Sequence, residues 1–178
     1  MFNLQICDDE KVLEYKKSNE RIAVRGVIIR GEKILLVKSN KGDYKFPGGG
    51  VNKGESHNQA LIREVVEETG YKIDSILGLV GEVKEVSKNK VENECAFIMY
   101  SYYYKCVVMD EVTQQKWDDY EQKLGFVGEW VDIKEAINTN ENILANGNKN
   151  NISWIKRETL VLNNIYRDIK VKNYIFHY

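Results

Sequence analysis

Residues 49–71 decide the fold of this chain, and they read Gly-Gly-Val-Asn-Lys-Gly-Glu-Ser-His-Asn-Gln-Ala-Leu-Ile-Arg-Glu-Val-Val-Glu-Glu-Thr-Gly-Tyr. Ser56 followed by Gln59 predicts the start of a helix, because their side chains can bond each other's backbone amides in a capping box. Gly70 predicts the end of that helix, since glycine readily adopts the left-handed conformation that terminates helices. The stretch therefore predicts a helix from about His57 to Thr69.

The predicted helix has an apolar side and an acidic side. The apolar residues, which should pack on a sheet, are Leu61, Ile62, Val65 and Val66. Glu64, Glu67 and Glu68 occupy a separate arc, where their charges repel one another and lie near the negative end of the helix dipole. Such a conflict often marks a functional site, and a hard divalent cation such as Mg²⁺ would relieve it. The alternative is a solvated acidic face in which Arg63 pairs with Glu67.

A glycine-rich turn precedes the predicted helix and reads Phe46-Pro47-Gly48-Gly49-Gly50. Consecutive glycines let the backbone approach a ligand closely, although a turn of this kind is more often an ordinary loop. Three lysines lie just before it, Lys38, Lys41 and Lys45. They either contact phosphate groups or belong to a solvated loop.

The spacing of the charged residues and glycines in this stretch resembles the signature of the Nudix hydrolases, G-x5-E-x7-R-E-U-x-E-E-x-G-U, where U is a bulky apolar residue. The matching residues are Gly49, Glu55, Arg63, Glu64, Glu67, Glu68 and Gly70. The resemblance implies an α/β (α+β) fold in which a mixed sheet is sandwiched between helices. It also implies hydrolysis of the pyrophosphate linkage in a nucleoside diphosphate joined to another moiety.

The resemblance further implies a role for each matching residue. The groups it implies as ligands of Mg²⁺, or of Mn²⁺, are Glu64, Glu67, Glu68 and the carbonyl of Gly48. Glu64 would also orient or deprotonate the attacking water. Arg63 is grouped with Glu64 as a catalytic residue of the motif. Together with Glu55, Arg63 would also brace the glycine-rich turn against the helix. Gly49 and Gly70 complete the structural residues of the motif.

A fourth carboxylate from outside the motif is expected to complete the site. In many Nudix proteins it comes from a loop ahead of a tryptophan-bearing strand, which here corresponds to Phe126–Val131 with Trp130. Glu121 lies nearest to this strand among the glutamates of the preceding loop, and we predict that it is the catalytic carboxylate. Glu111 and Glu129 are the alternative carboxylates, and the alternative interpretation of Glu121 itself is a solvated helix residue.

The composition predicts one soluble domain over residues 1–178, with the Nudix motif at 49–71. Lys plus Arg number 26 and Asp plus Glu number 27, so the net charge is −1. This balance argues against a protein that binds polymeric nucleic acid. Three cysteines without a C-x-x-C pair favour reduced thiols in the cytoplasm, and no apolar run is long enough to cross a membrane. A small nucleotide is the expected partner, and a homodimer is left open.

The remaining sequence predicts strands and two further helices. The predicted strands are Arg21–Arg30, Lys33–Lys38, Ile76–Val86, Glu94–Val108 and Phe126–Val131. Asp132 should cap a short helix over Ile133–Asn138, and the asparagine-rich stretch 138–151 predicts a loop. An apolar stripe predicts a C-terminal helix over about 152–169 that packs on the sheet.

The substrate is not decided by the motif. The chain lacks the proline that ADP-ribose-specific relatives tend to carry beyond the motif, and it lacks the corresponding tyrosine of the diadenosine-polyphosphate type. A MutT-like nucleoside-triphosphate pyrophosphohydrolase therefore remains the default. One alternative is a Nudix-fold sensor or regulator that binds a nucleotide without cleaving it, although such domains typically lose motif carboxylates. Another is an isomerase on the same fold, which would need a catalytic Cys and Glu pair that the sequence does not reveal.

Overall fold

The computed structural model describes residues 1–7, 9–115, 119–146 and 154–175, with the side chains of 119–121 and 171–175 outside the description. The described strands are β1 (Phe2–Cys7), β2 (Lys17–Arg30), β3 (Lys33–Lys38), β4 (Tyr44–Lys45), β5 (Tyr71–Lys88), β6 (Cys95–Val112) and β7 (Val127–Asp132). The described helices are α1 (His57–Thr69), α2 (Asp119–Leu124), α3 (Ile133–Ala145) and α4 (Ile155–Ile175), and a short 3-10 helix covers Glu10–Glu14.

The seven described strands form one mixed sheet in the order β1-β5-β6-β2-β3-β4, with β7 paired to β3. β5 and β6 form a long antiparallel hairpin. β2 runs parallel to β6 on the outside of that hairpin, and β1 runs parallel to β5 on its other side. β3 turns back from β2 and pairs along its length with β7.

The glycine-rich turn is built into this sheet. Val24 of β2 donates its amide to the carbonyl of Gly49 at 2.9 Å, and Gly26 donates to Pro47 at 2.8 Å. Val51 returns a bond to the carbonyl of Ile22 at 3.0 Å. The turn therefore lies along β2 much as a strand would, on the side that does not pair with β6.

Helices cover both faces of the sheet. One core cluster joins the sheet to α1 through residues such as Val24, Leu61 and Val65. A second and larger cluster joins the opposite face to α3 and α4 through residues such as Val27 and Leu162. The predicted architecture, a mixed sheet between helices, is confirmed.

The ends of α1 are confirmed, but its buried face differs from the prediction. Ser56 and Gln59 form the capping box, and Gly70 ends the helix at φ 77°. Ile62, which was predicted to pack on the sheet, is 47 % exposed. The residues of α1 that are buried are Ala60, Leu61, Val65, Glu68 and Thr69. The helix is therefore rotated so that one carboxylate of the acidic arc faces the protein interior.

The predicted loop 138–151 is wrong over its first part, because α3 continues to Ala145. Asn140 explains the difference: it is fully buried, and its side-chain amide bonds the backbone N and O of Tyr44 at 2.9 Å each. A buried asparagine that completes the hydrogen bonds of a strand favours helix here despite its low helix propensity. Residues 147–151 of that prediction lie outside the described residues.

Other boundaries also shift. β5 begins at Tyr71 rather than Ile76, β2 begins at Lys17 rather than Arg21, and α4 continues past residue 169 to Ile175. The N-terminal strand β1 was not predicted. Within the described part of the chain, no helix combines the length and apolar character that crossing a membrane requires.

Candidate active site

The Arg63 guanidinium fastens α1 to the glycine-rich turn. It donates to both oxygens of Glu55 at 2.8 and 2.9 Å and to the carbonyl of Gly50 at 3.1 Å. Its remaining donor reaches Glu64 at 2.7 Å and Glu67 at 3.2 Å. The carboxylates raise the pKa of Arg63, with Glu55 the largest cause. The structure thus places three carboxylates of the motif around one guanidinium. The brace to Glu55 is the contact that the resemblance implied, and the pairing with Glu67 is the contact of the alternative interpretation, a solvated acidic face.

Glu64 points its carboxylate toward the turn. Its side chain is 12 % exposed, and it lies against the backbone of Gly49. Burial raises the pKa of Glu64, the nearby charges of Glu68 and Glu67 raise it further, and Arg63 opposes the shift. A carboxylate in this environment accepts a proton more readily than an ordinary surface glutamate does.

Gly49 leaves the space that the Glu64 carboxylate fills. A Cβ atom at Gly49 would overlap that carboxylate, although the Gly49 backbone itself is not in the left-handed region. We therefore expect Gly49→Ala to displace Glu64 and to lower the kcat of the hydrolysis that the motif implies by about a hundredfold, with a small effect on stability. Gly54→Ala is the control, because Gly54 has open space around it and φ of 82°. It should lose about 1 kcal/mol of unfolding free energy through backbone strain and keep its turnover.

Glu68 is placed differently from the other two acidic residues. Its side chain is 1 % exposed. One oxygen accepts from the Lys45 ammonium at 2.6 Å, and the other accepts from the Gly48 amide at 2.8 Å. The Gly48 carbonyl in turn accepts from the buried Arg25 guanidinium. Because Glu64 and Glu67 are bonded to Arg63, all four of the groups predicted to bind metal are engaged by the protein's own donors.

The donor chemistry of the site fits a hard divalent cation. Carboxylate and carbonyl oxygens are the ligands that Mg²⁺ prefers, and the site offers three carboxylates on one helix next to the glycine-rich turn, with Glu68 bonded to that turn directly. Within the ranges that the structure describes, no three His, Cys, Asp or Glu side chains are grouped closely enough to hold an ion. Metal binding by these residues would thus involve movement of Glu68 or of the cations beside it.

Two basic residues of the site were not assigned by the sequence. Lys45 stood only as a candidate phosphate contact, and Arg25 was not singled out. No local signal reveals either one, because Lys45 and Arg25 reach Glu68 and Gly48 through contacts between elements distant in sequence.

The tyrosine run on β6 is divided between the two faces of the sheet. Tyr103 is fully buried against Phe46, with ring centroids 5.2 Å apart. Tyr104 bonds His57 Nδ1 at 2.8 Å, and Tyr102 lies with its ring centroid 4.9 Å from that of His57. His57 at the start of α1 is therefore held by tyrosines on the α1 side of the sheet.

The predicted fourth carboxylate lies on α2, but the Glu121 side chain is outside the described residues. Glu129, one alternative, is on β7, where it pairs with Lys38 at 3.3 Å and accepts from the Tyr44 hydroxyl at 3.3 Å. Glu111, the other alternative, is exposed near the end of β6. The assignment to Glu121 stays a prediction.

The Glu55 carboxylate gives the fold a defined acid dependence. The Arg63 guanidinium and the Asn52 amide lower the pKa of Glu55 from 4.5 to about 2. Because the folded-state pKa is depressed, the pair contributes fully above the unfolded-state value and loses its contribution as pH falls toward about 2. We expect the unfolding free energies of the parent and Glu55→Gln to differ at neutral pH and to converge in acid, as measured by urea denaturation at a series of pH values. A difference that stays constant across this range would contradict the assignment.

The chain matches the model of the NUDIX domain over residues 19–155. This chain belongs to the NUDIX family. The matched range includes the glycine-rich turn, α1 and most of the sheet, so the family resemblance expected from residues 49–71 is confirmed over a much larger part of the chain.

Curated relatives of this NUDIX chain carry several activities in their names. It is 44 % identical over 64 residues to an ADP-ribose pyrophosphatase of Methanocaldococcus jannaschii, a match over 33 % of this chain and 38 % of that protein. It is 43 % identical over 61 residues to a putative 8-oxo-dGTP diphosphatase of Bacillus subtilis, a match over 34 % of this chain and 38 % of that protein. These matches span well under half of the relatives' own length.

Solved structures share the NUDIX fold. A NUDIX hydrolase from Nitrosomonas europaea superimposes with a TM-score of 0.51 and 25 % identity, over 68 % of this chain and 78 % of that one. A MutT NUDIX hydrolase from Burkholderia pseudomallei gives a TM-score of 0.50 at 20 % identity, over 65 % of this chain and 85 % of that one.

Proposed function

We propose that this NUDIX chain is a pyrophosphohydrolase that requires a divalent cation, Mg²⁺ or Mn²⁺, and acts on a nucleoside diphosphate derivative. The observation that carries the proposal is the arrangement around Arg63, which fixes Glu64 and Glu67 beside a glycine-rich turn held in the sheet. The three glycines of the turn, which carry no side chains, allow a diphosphate to approach the backbone, and the adjacent carboxylates supply a base and metal ligands.

Each residue of the site has a part in this chemistry. Glu64 orients the attacking water and accepts its proton, which suits a buried carboxylate with a raised pKa. Glu64, Glu67, Glu68 and the carbonyl of Gly48 would hold the cation. When bound, the cation neutralises the diphosphate charge and stabilises the leaving oxygen. Arg63 keeps Glu64 in position, since three contacts fix the guanidinium against the turn and against Glu55 and a fourth reaches Glu64 itself.

We propose a nucleoside triphosphate or a related nucleotide as the substrate. The names of the relatives include an ADP-ribose pyrophosphatase and a putative 8-oxo-dGTP diphosphatase, so they support the class of bond and not one compound. Pro47 is the chain's single proline, so the proline expected of an ADP-ribose-specific relative is missing. A cytoplasmic location for the protein and its substrate is a further part of this proposal.

The proposal is tested with a substrate panel scored by product identity. The panel contains ordinary and oxidised nucleoside triphosphates, ADP-ribose, dinucleoside polyphosphates and nucleotide sugars, each with Mg²⁺, with Mn²⁺ and with excess EDTA. We expect a nucleoside monophosphate and pyrophosphate from a triphosphate, only when metal is present. Tight nucleotide binding without any product would favour the sensor alternative, and hydrolysis unchanged by EDTA would contradict the metal requirement.

Glu121→Gln tests the proposed carboxylate outside the motif. If Glu121 acts on the water or the metal, the substitution should lower kcat by about a hundredfold while KM and the melting temperature change little. Glu129→Gln is the matched comparison, because Glu129 already pairs with Lys38 and Tyr44. Full activity in Glu121→Gln together with a large loss in Glu129→Gln or Glu111→Gln would move the assignment to that residue.

A further inference from the structure

The Lys45 ammonium binds a motif carboxylate, Glu68, that is also predicted to bind metal. Its Nζ atom lies 2.6 Å from Glu68 Oε1 and 4.4 Å from the centroid of the Phe126 ring. Lys45 is 11 % exposed and Glu68 is 1 % exposed. The pair is thus an internal one, shielded from the solvent that weakens surface ion pairs.

Two basic side chains neutralise the three glutamates of α1, and they are held in different ways. Arg63 contacts Glu64 and Glu67 and is also fixed by Glu55 and by the Gly50 carbonyl. Lys45, by contrast, has the Glu68 carboxylate and an aromatic face as its described contacts. The lysine ammonium ends a flexible four-carbon stem, whereas the arginine fork is planar and bound at several points. Of these two cations, Lys45 is the one that can leave its carboxylate without dismantling the turn.

A divalent cation and this ammonium would compete for the same oxygen. Mg²⁺ binds carboxylate oxygens at about 2.0–2.1 Å, and a second positive charge within hydrogen-bond distance of that oxygen repels it strongly in a partly buried site. The other Glu68 oxygen is held by the Gly48 amide. Glu68 therefore becomes available to metal most directly when Lys45 moves away.

We propose that Lys45 is the counter-cation of Glu68 in the metal-free protein and that a divalent cation displaces it on binding. The inference rests on the metal requirement of the proposed function. It makes Lys45 a positioning residue, one that keeps Glu68 paired until metal arrives. Because metal binding must break the Lys45–Glu68 ion pair, the free energy of that pair makes the binding of metal weaker.

The first test measures Mg²⁺ binding alone, by isothermal titration calorimetry on the full folded chain. Lys45→Met keeps the stem but removes the competing charge, so Mg²⁺ should bind about tenfold more tightly than to the parent. Lys45→Arg should bind Mg²⁺ more weakly than the parent, because an arginine fork holds a carboxylate more firmly. Lys38→Met is the matched control, since Lys38 also pairs with a glutamate and lies over a tyrosine ring but does not touch a motif carboxylate. It should leave the dissociation constant unchanged.

The second test needs no substitution. The parent is treated briefly with acetic anhydride with and without saturating Mg²⁺, and acetylation at each lysine is quantified by mass spectrometry. Acetylation of Lys45 should rise by about tenfold with Mg²⁺, because the displaced ammonium becomes mobile and exposed. Lys38, which is 41 % exposed, should react equally in both conditions. This measurement decides the question even where Lys45→Met fails to fold.

The outcomes separate this inference from the proposed function. Unchanged or weaker Mg²⁺ binding by Lys45→Met, or Lys45 protected equally with and without metal, overturns the exchange and leaves the hydrolase proposal standing. A parent that binds no Mg²⁺ overturns both. Exchange that is observed in a protein without hydrolytic activity supports the inference and overturns the proposed function.

Discussion

Glu64→Gln is expected to abolish most of the proposed hydrolytic activity, with kcat falling by about a hundredfold or more. The amide has nearly the same shape and can still accept a bond from Arg63, which lies 2.7 Å from Glu64. It cannot accept a proton from water or offer a full charge to a metal. The loss should therefore appear in kcat, with little change in KM or in the melting temperature.

Steady-state kinetics and thermal melts on the same samples check this expectation. Glu135→Gln, an exposed position in the first turn of α3, controls for the removal of one carboxylate from the surface. Its kinetic constants should match those of the parent. Parent-like turnover in Glu64→Gln would show that another carboxylate serves as the base.

Glu158→Ala is expected to cause the largest loss of stability. Glu158 is fully buried, accepts from Arg157 at 2.6 and 2.9 Å, and accepts the Phe46 amide at 3.0 Å. Removing it leaves a buried backbone amide without its partner and deprives a 3 % exposed guanidinium of one of its two carboxylates. Because Glu85 still pairs with Arg157, we expect the lower end of the range for a broken buried pair, about 3 kcal/mol of unfolding free energy.

Urea denaturation provides the measurement, and Glu141→Ala provides the control. Glu141 is an exposed residue of α3 that bonds only to Asn163 among its described contacts, so its loss should change the unfolding free energy by about 0.5 kcal/mol or less. A loss below about 1 kcal/mol in Glu158→Ala would mean that water replaces the carboxylate at little cost. The result also bears on activity, because Phe46 begins the glycine-rich turn.

Local signals in the sequence predict the frame of the site well. The capping box of Ser56 and Gln59 and the left-handed Gly70 each depend on a few neighbouring residues, and the structure has all of them. The pairing of Arg63 on α1 with Glu55, which lies just before that helix, was also expected, and the contacts are present.

What the sequence could not predict depends on contacts between distant elements. Helical periodicity places Glu64, Glu67 and Glu68 in one arc, but it does not say which edge of that arc turns toward the sheet. The structure turns Glu68 inward because Lys45 of β4 is there to receive it. Asn140 depends on a distant contact in the same way. An asparagine-rich stretch predicts a loop, and only the hydrogen bonds of Asn140 to the backbone of Tyr44 explain why it is helical.

The pairing of the glycine-rich turn with β2 has a consequence for the motions of this protein. The amides of Val24 and Gly26 are bonded to the turn, and both strand residues belong to the central part of the sheet. Segments held in this way open only together with the strands that hold them, in one cooperative unit. We therefore expect the backbone of the glycine-rich turn to open only as rarely and slowly as the core does. Fast motions at this site should be confined to side chains.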